Sequence, residues 1–180
     1  MPKKLDFITP TLMKVLELFI EDPLNERHER EVVREAKVSK GSANNILRCL
    51  TELDFLVRER KGRMVFYKLN TREPTVRQFK VFANVYALKE LVDQLKHYSR
   101  KIVMFGSCAQ GIDVNESDID LLIISLEKEP VKRIVSAFNK KNNKKVAAIT
   151  LNINEYIQLK QEDKPLYENI ERGIVLWEMT

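Results

Sequence analysis

Two aspartates one residue apart, Asp118 and Asp120, stand at the head of the apolar run Leu121-Leu122-Ile123-Ile124. Read as a strand, the segment sends alternate side chains to opposite faces, so both carboxylates project on one side while Ile119 and Leu121 enter a core. Paired carboxylates repel each other unless a cation sits between them, and hard oxygen ligands of this kind suit Mg²⁺. Upstream, the apolar run from Ile102 to Phe105 leads into Gly106-Ser107-Cys108-Ala109-Gln110-Gly111. A Gly-Ser turn that opens a short helix offers backbone N–H groups and a hydroxyl to phosphate oxygens. A phosphate cradle beside a metal pair is the minimum apparatus for placing a nucleoside triphosphate. The chain has only 5 Gly, and two of them, Gly106 and Gly111, stand in this cradle.

Gly106, Ser107, Gly111, Ser117, Asp118 and Asp120, in this order, resemble the nucleotidyltransferase superfamily of DNA polymerase β. The resemblance is closest to its small "minimal nucleotidyltransferase" branch. It covers roughly residues 98–180, because Leu166–Trp177 is similar to the family's closing helix and strand. It implies catalytic and metal-binding roles for Asp118 and Asp120, and nucleotide contacts from Gly106, Ser107, Gly111 and Ser117. The implied cofactor is Mg²⁺, with an NTP as ligand or substrate. Some small relatives are antitoxins that modify a partner toxin of the HEPN class.

Two departures from the family pattern bear on activity. Active members carry a third carboxylate on a following strand, yet Lys145–Asn152 contains no acid. Asp113 and Glu116 lie on the loop before the Asp pair and Glu155 falls after the strand, so none is an obvious replacement. Gln110 stands where many relatives have an arginine. Two carboxylates can hold one Mg²⁺ through phosphates and water, whereas two-metal transfer is harder to assemble. Nucleotide binding is therefore better founded than catalysis.

The elements that must position these residues follow from periodicity. Strands are expected near 101–105, 118–125, 145–151 and 173–177, and helices near 107–112, 130–141, 154–161 and 166–171. The expected fold is α+β: a small mixed sheet with helices on one face.

The N-terminal third has another character. Thr9-Pro10 reads as a helix start before Leu12, Val15, Leu16, Phe19 and Ile20. A second helix is expected near Glu29–Ala36. A third, capped by Ser39, carries Ala43, Ile46, Leu47, Leu50 and Leu53 on its core face. Its other face presents Lys40, Ser42, Asn44, Asn45 and Arg48. Phe55–Arg60 and Met64–Leu69 then flank Lys61-Gly62-Arg63, a hairpin signal. Three helices followed by a basic hairpin is the order of a winged helix-turn-helix. Asn44, Asn45, Ser42, Lys40 and Arg48 can pair with base edges and phosphates, and Arg58, Arg60, Lys61 and Arg63 would sit on the wing. Residues 1–72 hold 15 Lys and Arg against 11 Asp and Glu, which accounts for most of the chain's net charge of +5. That bias favours double-stranded DNA as a partner of this end.

Between these regions one long helix is expected over Thr75–Tyr98. Val81, Val85, Leu88, Val92 and Leu95 form a heptad-like stripe, and Phe79, Phe82 and Tyr86 a second. One stripe suffices to dock the helix on its own chain, and the second points to a homodimer contact; burial of both between the domains is the alternative. The expected organisation is therefore 1–72, a winged helix-turn-helix; 73–98, a linker and dimerisation helix; and 99–180, a nucleotidyltransferase-like domain.

No apolar run approaches the roughly 20 residues that span a bilayer. Met1–Asp6 lacks the apolar core of a signal peptide, so a cytoplasmic location is expected. Cys49 and Cys108 lack metal-ligand spacing, and Cys108 reads as a small buried thiol. His28 and His97 stand alone, each more often a surface residue than a catalyst. The Lys140–Lys145 run reads as a solvated loop. The leading functional reading is a DNA-binding transcriptional regulator with a Mg-nucleotide-binding domain. The alternatives are an active nucleotidyltransferase that transfers NMP to a protein partner, and a repressor with an inert C-terminal scaffold.

Overall fold

The computed structural model describes residues 7–179, so the reading of Met1–Asp6 lies outside the described residues. The chain divides into two compact units, one up to Arg77 and one from Gln78 onward.

In the first unit, helix α1 (Pro10–Glu21) is capped by the Thr9 hydroxyl, which accepts from the Leu12 amide. Helix α2 (Glu29–Ala36) opens on a capping box in which His28 and Glu31 satisfy each other's backbone amides. His28 is thus a structural cap. Helix α3 (Lys40–Glu52) is capped by Ser39. Leu12, Val15, Leu16, Phe19, Val32, Ala43, Leu47 and Leu50 form the buried interior of this unit. Strands β2 (Leu56–Lys61) and β3 (Met64–Leu69) pair as an antiparallel hairpin, and a two-residue strand β1 (Arg27–His28) pairs with β3 on the other side. A strand of two residues has no readable periodicity, which is why β1 escaped the sequence pattern. Phe55 precedes the hairpin rather than joining it, because Asp54 takes a left-handed φ of 62°.

The second unit is built on a four-stranded sheet: β4 (Lys101–Phe105), β5 (Ile119–Ile124), β6 (Val146–Leu151) and β7 (Ile174–Glu178), in the order β6-β5-β4-β7. β5 and β6 are parallel and the other pairs antiparallel, which makes the sheet mixed. Helices α4 (Pro74–Ala87), α5 (Lys89–Leu95), α6 (Gly106–Gln110), α7 (Lys128–Lys141), α8 (Ile153–Glu162) and α9 (Lys164–Glu171) complete the chain. Ile102, Met104, Ile119, Leu121 and Ile123 pack with Leu88, Leu91, Leu95, Val131 and Val135 from α5 and α7. Val103, Phe105, Leu122 and Ile124 pack with Ile170 and with Tyr156, Leu159 and Leu166 from α8 and α9.

Helices therefore cover both faces, not the one face expected. The reason is legible in the strands: β4 and β5 are apolar on both parities, so each face needs a cover. The helix expected over Thr75–Tyr98 is also interrupted, at Leu88, where α4 ends and α5 begins. Its buried stripe within this unit is Lys80, Asn84, Leu88, Leu91 and Leu95. Two of those five positions are polar, so a search for apolar spacing selects Val81, Val85 and Val92 instead. Phe82 and Tyr86, by contrast, stack on each other at 6.1 Å while 59% and 68% exposed.

Candidate functional sites

Asp120 and the Gly-Ser turn meet because β4 and β5 run antiparallel: Phe105, the last residue of β4, pairs with Asp120. Gly106 follows at a left-handed φ of 70°. A Cβ built on it would lie 2.4 Å from the Asp120 Oδ2. Only glycine allows the cradle to lie against this carboxylate. α6 starts immediately there with no side-chain cap, and the Ser107 hydroxyl has no hydrogen-bond partner among the described residues. Gly111 ends α6 in a left-handed conformation, its amide donating to the Ser107 carbonyl. Its role in the structure is that of a helix terminator.

Asp118 lies just before β5, at the end of the loop that follows α6, and Asp120 is within the strand. Burial pushes the Asp120 carboxyl above its ordinary pKa, and the neighbouring charge of Asp118 adds to the rise. Two carboxylates in that relation gain from a cation, and the pair suits one Mg²⁺ whose other ligands come from phosphate and water. Among the described residues no group of three or more His, Cys, Asp or Glu could hold a metal. The β5–β6 register gives the reason: Asp120 pairs with Ala147, so a methyl group occupies the neighbouring-strand position. Glu155 is committed elsewhere, capping α8 and accepting from Lys128 at 2.8 Å.

Ser117 turns inward to its own loop, its hydroxyl accepting from the Val114 amide at 2.9 Å. Cys108 is buried, donating its thiol to the Asp118 carbonyl at 3.4 Å, and burial raises its pKa. It is a packing residue, as its size and setting suggested.

The sequence reading missed a buried polar cluster behind this loop. Lys80 (2% exposed) lies 3.4 Å from Asp113 Oδ1, and Asp113 is 4% exposed. The Lys80 ammonium also donates to the Asp113 carbonyl, and Lys144 donates to the other Asp113 carboxylate oxygen. The Asn84 amide nitrogen donates to Asp113 Oδ1 at 3.2 Å and to the Cys108 carbonyl at 3.1 Å. The available signal was a lysine and an asparagine four residues apart, in phase with Leu88 on one helix.

In the first unit, Lys40, Asn44, Asn45 and Arg48 lie exposed along one side of α3. Asn44 is already engaged, donating to Glu29 at 2.8 Å, and Ser42 accepts from the Ser39 hydroxyl at 2.9 Å within the helix cap. Arg48 approaches Glu52 at 3.8 Å. Arg58, Arg60 and Arg63 are exposed on the hairpin. Lys61 instead turns to Glu26 and lies 5.7 Å over the Phe66 ring.

The polymerase β nucleotidyltransferase family model matches residues 88–179. The chain belongs to this family. Its nucleotidyltransferase unit contains the whole of the Gly106–Asp120 arrangement. Among solved structures, one similar protein is from Sulfolobus solfataricus and is provisionally assigned as a nucleotidyltransferase. It shares 22% identity, over 57% of this chain and 87% of its own, with a TM-score of 0.39. Another is a provisionally assigned transcriptional regulator from Rhodococcus sp. RHA1, with 15% identity, 65% and 44% coverage and a TM-score of 0.33. No curated protein matches the chain. No helix among the described residues is long and apolar enough to cross a membrane.

Proposed function

We propose that the protein is a DNA-binding regulator whose nucleotidyltransferase unit binds a nucleoside triphosphate with Mg²⁺. Asp118 and Asp120 hold the metal, while the Gly106-Ser107 turn receives the phosphates. The observation that carries this reading is the contact between Gly106 and Asp120: a left-handed glycine, with no room for a side chain, pressed against a buried carboxylate. Mg²⁺ at this position would neutralise both the carboxylate pair and the phosphates. The family's third carboxylate is replaced by Ala147, so binding rather than transfer is the activity these residues favour.

The first unit is proposed to bind duplex DNA as a winged helix-turn-helix, with α3 in the major groove and the β2–β3 hairpin as the wing. Support comes from the exposed Lys40, Asn44, Asn45 and Arg48 on one helix side and from the exposed arginines of the hairpin. The exposed Phe82–Tyr86 pair is proposed as a homodimer contact, and sedimentation equilibrium of the intact chain would return a single monomer mass were it wrong.

The test of the nucleotide reading is the thermal midpoint with Mg²⁺ and each of the four common NTPs, for wild type and Asp118→Ala/Asp120→Ala. A ligand at 100 times its Kd stabilises by about 2.7 kcal/mol, which moves the midpoint by several degrees. A Mg²⁺-dependent shift absent from the double variant is expected. No shift at millimolar nucleotide would leave the unit an inert scaffold and DNA binding the whole function. A second reading, transfer of NMP to a HEPN-class protein, is favoured only by family membership; labelled NTP that marks such a partner would establish it.

A further inference from the structure

The loop between α6 and Asp118 is held from behind by charges that the proposed chemistry does not use. A buried ammonium costs several kcal/mol to desolvate, and an apolar pair of similar volume is often as stable or more so. Burial accordingly lowers the Lys80 pKa, with Asp113 opposing the change. This expense falls at one place in the unit, beneath the segment that carries a proposed metal ligand. Each contact of the cluster fixes a point along that segment. Asn84 takes the Cys108 carbonyl near the exit of α6. Lys80, Asn84 and Lys144 together saturate Asp113, backbone and carboxylate alike. Val114 and Ser117 then close a turn on each other, and Cys108 donates to the carbonyl of Asp118 itself. The Ile119 amide finally joins the sheet at the Lys145 carbonyl, one residue from Lys144.

From Gly111 to Ile119 the chain thus has one buried anchor, Asp113, and three donor side chains from outside the loop: Lys80 and Asn84 on α4, and Lys144. We infer that Lys80, with Asn84 and Lys144, is a positioning residue for the nucleotide site: by clamping Asp113 it sets where Asp118 stands relative to Asp120 and the Gly106 cradle. The inference rests on the proposed Mg-nucleotide reading. Lys80 touches no substrate; it acts through the loop. The cluster also carries one cation in excess, which lowers the cost of gathering two carboxylates nearby.

The experiment compares wild type with Lys80→Met and with Lys80→Met/Asp113→Leu, in which apolar side chains replace the buried pair and restore folding stability. Three quantities are read on intact protein: the thermal midpoint, the Kd for MgATP by calorimetry well below that midpoint, and amide hydrogen exchange over residues 111–119. The expected result is a double variant with a recovered midpoint, a Kd at least tenfold weaker, and faster exchange confined to the loop. A Kd within twofold of wild type with unchanged loop exchange overturns the inference and reduces the cluster to a folding element. If wild type binds no MgATP, the nucleotide reading fails by itself and exchange alone decides: a loosened loop upholds the clamp, an unchanged loop removes it. Should neither variant fold, Lys144→Gln removes only the part-exposed cation and gives the same three readouts.

Discussion

In the unit up to Arg77, the side chains proposed to meet a ligand stand outside the fold, on one side of α3 and along an exposed hairpin. In the unit from Gln78, the corresponding side chains are packed: Asp120 against Gly106, Asp113 against two lysines and an asparagine. The first arrangement spreads recognition over many groups, each replaceable at small cost to folding. The second concentrates it on a few groups whose geometry the core enforces. Function and stability should separate cleanly in the first unit and be entangled in the second.

Two left-handed glycines give the sharpest form of that contrast. Gly106 and Gly62 have similar φ values, 70° and 62°. A Cβ on Gly106 meets the Asp120 carboxylate at 2.4 Å, whereas one on Gly62 meets nothing within 4 Å. Gly62→Asn should therefore cost about 1 kcal/mol or less, since only the backbone preference is lost. Gly106→Val adds the displacement of Asp120, and the Mg-nucleotide midpoint shift should vanish while the unliganded midpoint falls by several degrees. Equal midpoint changes in the two variants would dissolve the distinction between the regions.

On the exposed side, Asn44→Ala/Asn45→Ala should weaken discrimination between specific and random duplex by about ten- to a hundredfold, at about 1–3 kcal/mol per lost bidentate contact. The thermal midpoint should stay near that of wild type, because exposed substitutions fall within about 0.5 kcal/mol. Titrations at matched salt with a selected site and a random duplex supply the ratio. A loss of DNA binding matched by a loss of folding would mean that α3 is entangled with its core after all. Asn44 currently donates to Glu29, so its share of the effect should be the smaller if that bond survives on DNA.

The helices and hairpin strands of the first unit were legible because their caps and apolar periods agree: Thr9, Ser39 and the Gly62 turn each sit where local chemistry demands them. The Gly106–Asp120 motif was legible as residue types in order, but the steric reason for Gly106 was not, since the β4–β5 pairing that brings Asp120 beneath it is a long-range fact. The two-sided sheet was written in the unbroken apolar runs of β4 and β5. Lys80 and Asn84 stayed hidden because burial of polar side chains contradicts the rule by which buried faces are found. Only the partner, Asp113, makes those positions sensible, and nothing in the sequence joins it to them.

The smallest expected effect tests whether the site carries a cost of its own. Burial, and then the charge of Asp118, raise the Asp120 carboxyl above its ordinary value of 3.8. In the window between 3.8 and the raised value, the folded protein holds more protons than the unfolded chain. Stability therefore falls as pH rises through that window and stays lower above it. Asp120→Asn removes the charge and should melt slightly above wild type at pH 7 without ligand, with the gain shrinking as pH falls below 3.8. Mg²⁺ and nucleotide should reverse the order, because only wild type can bind them. Midpoints that coincide at every pH would mean that Asp120 is comfortable as an unpartnered carboxylate, and the case for a cation beside it would lose its electrostatic half.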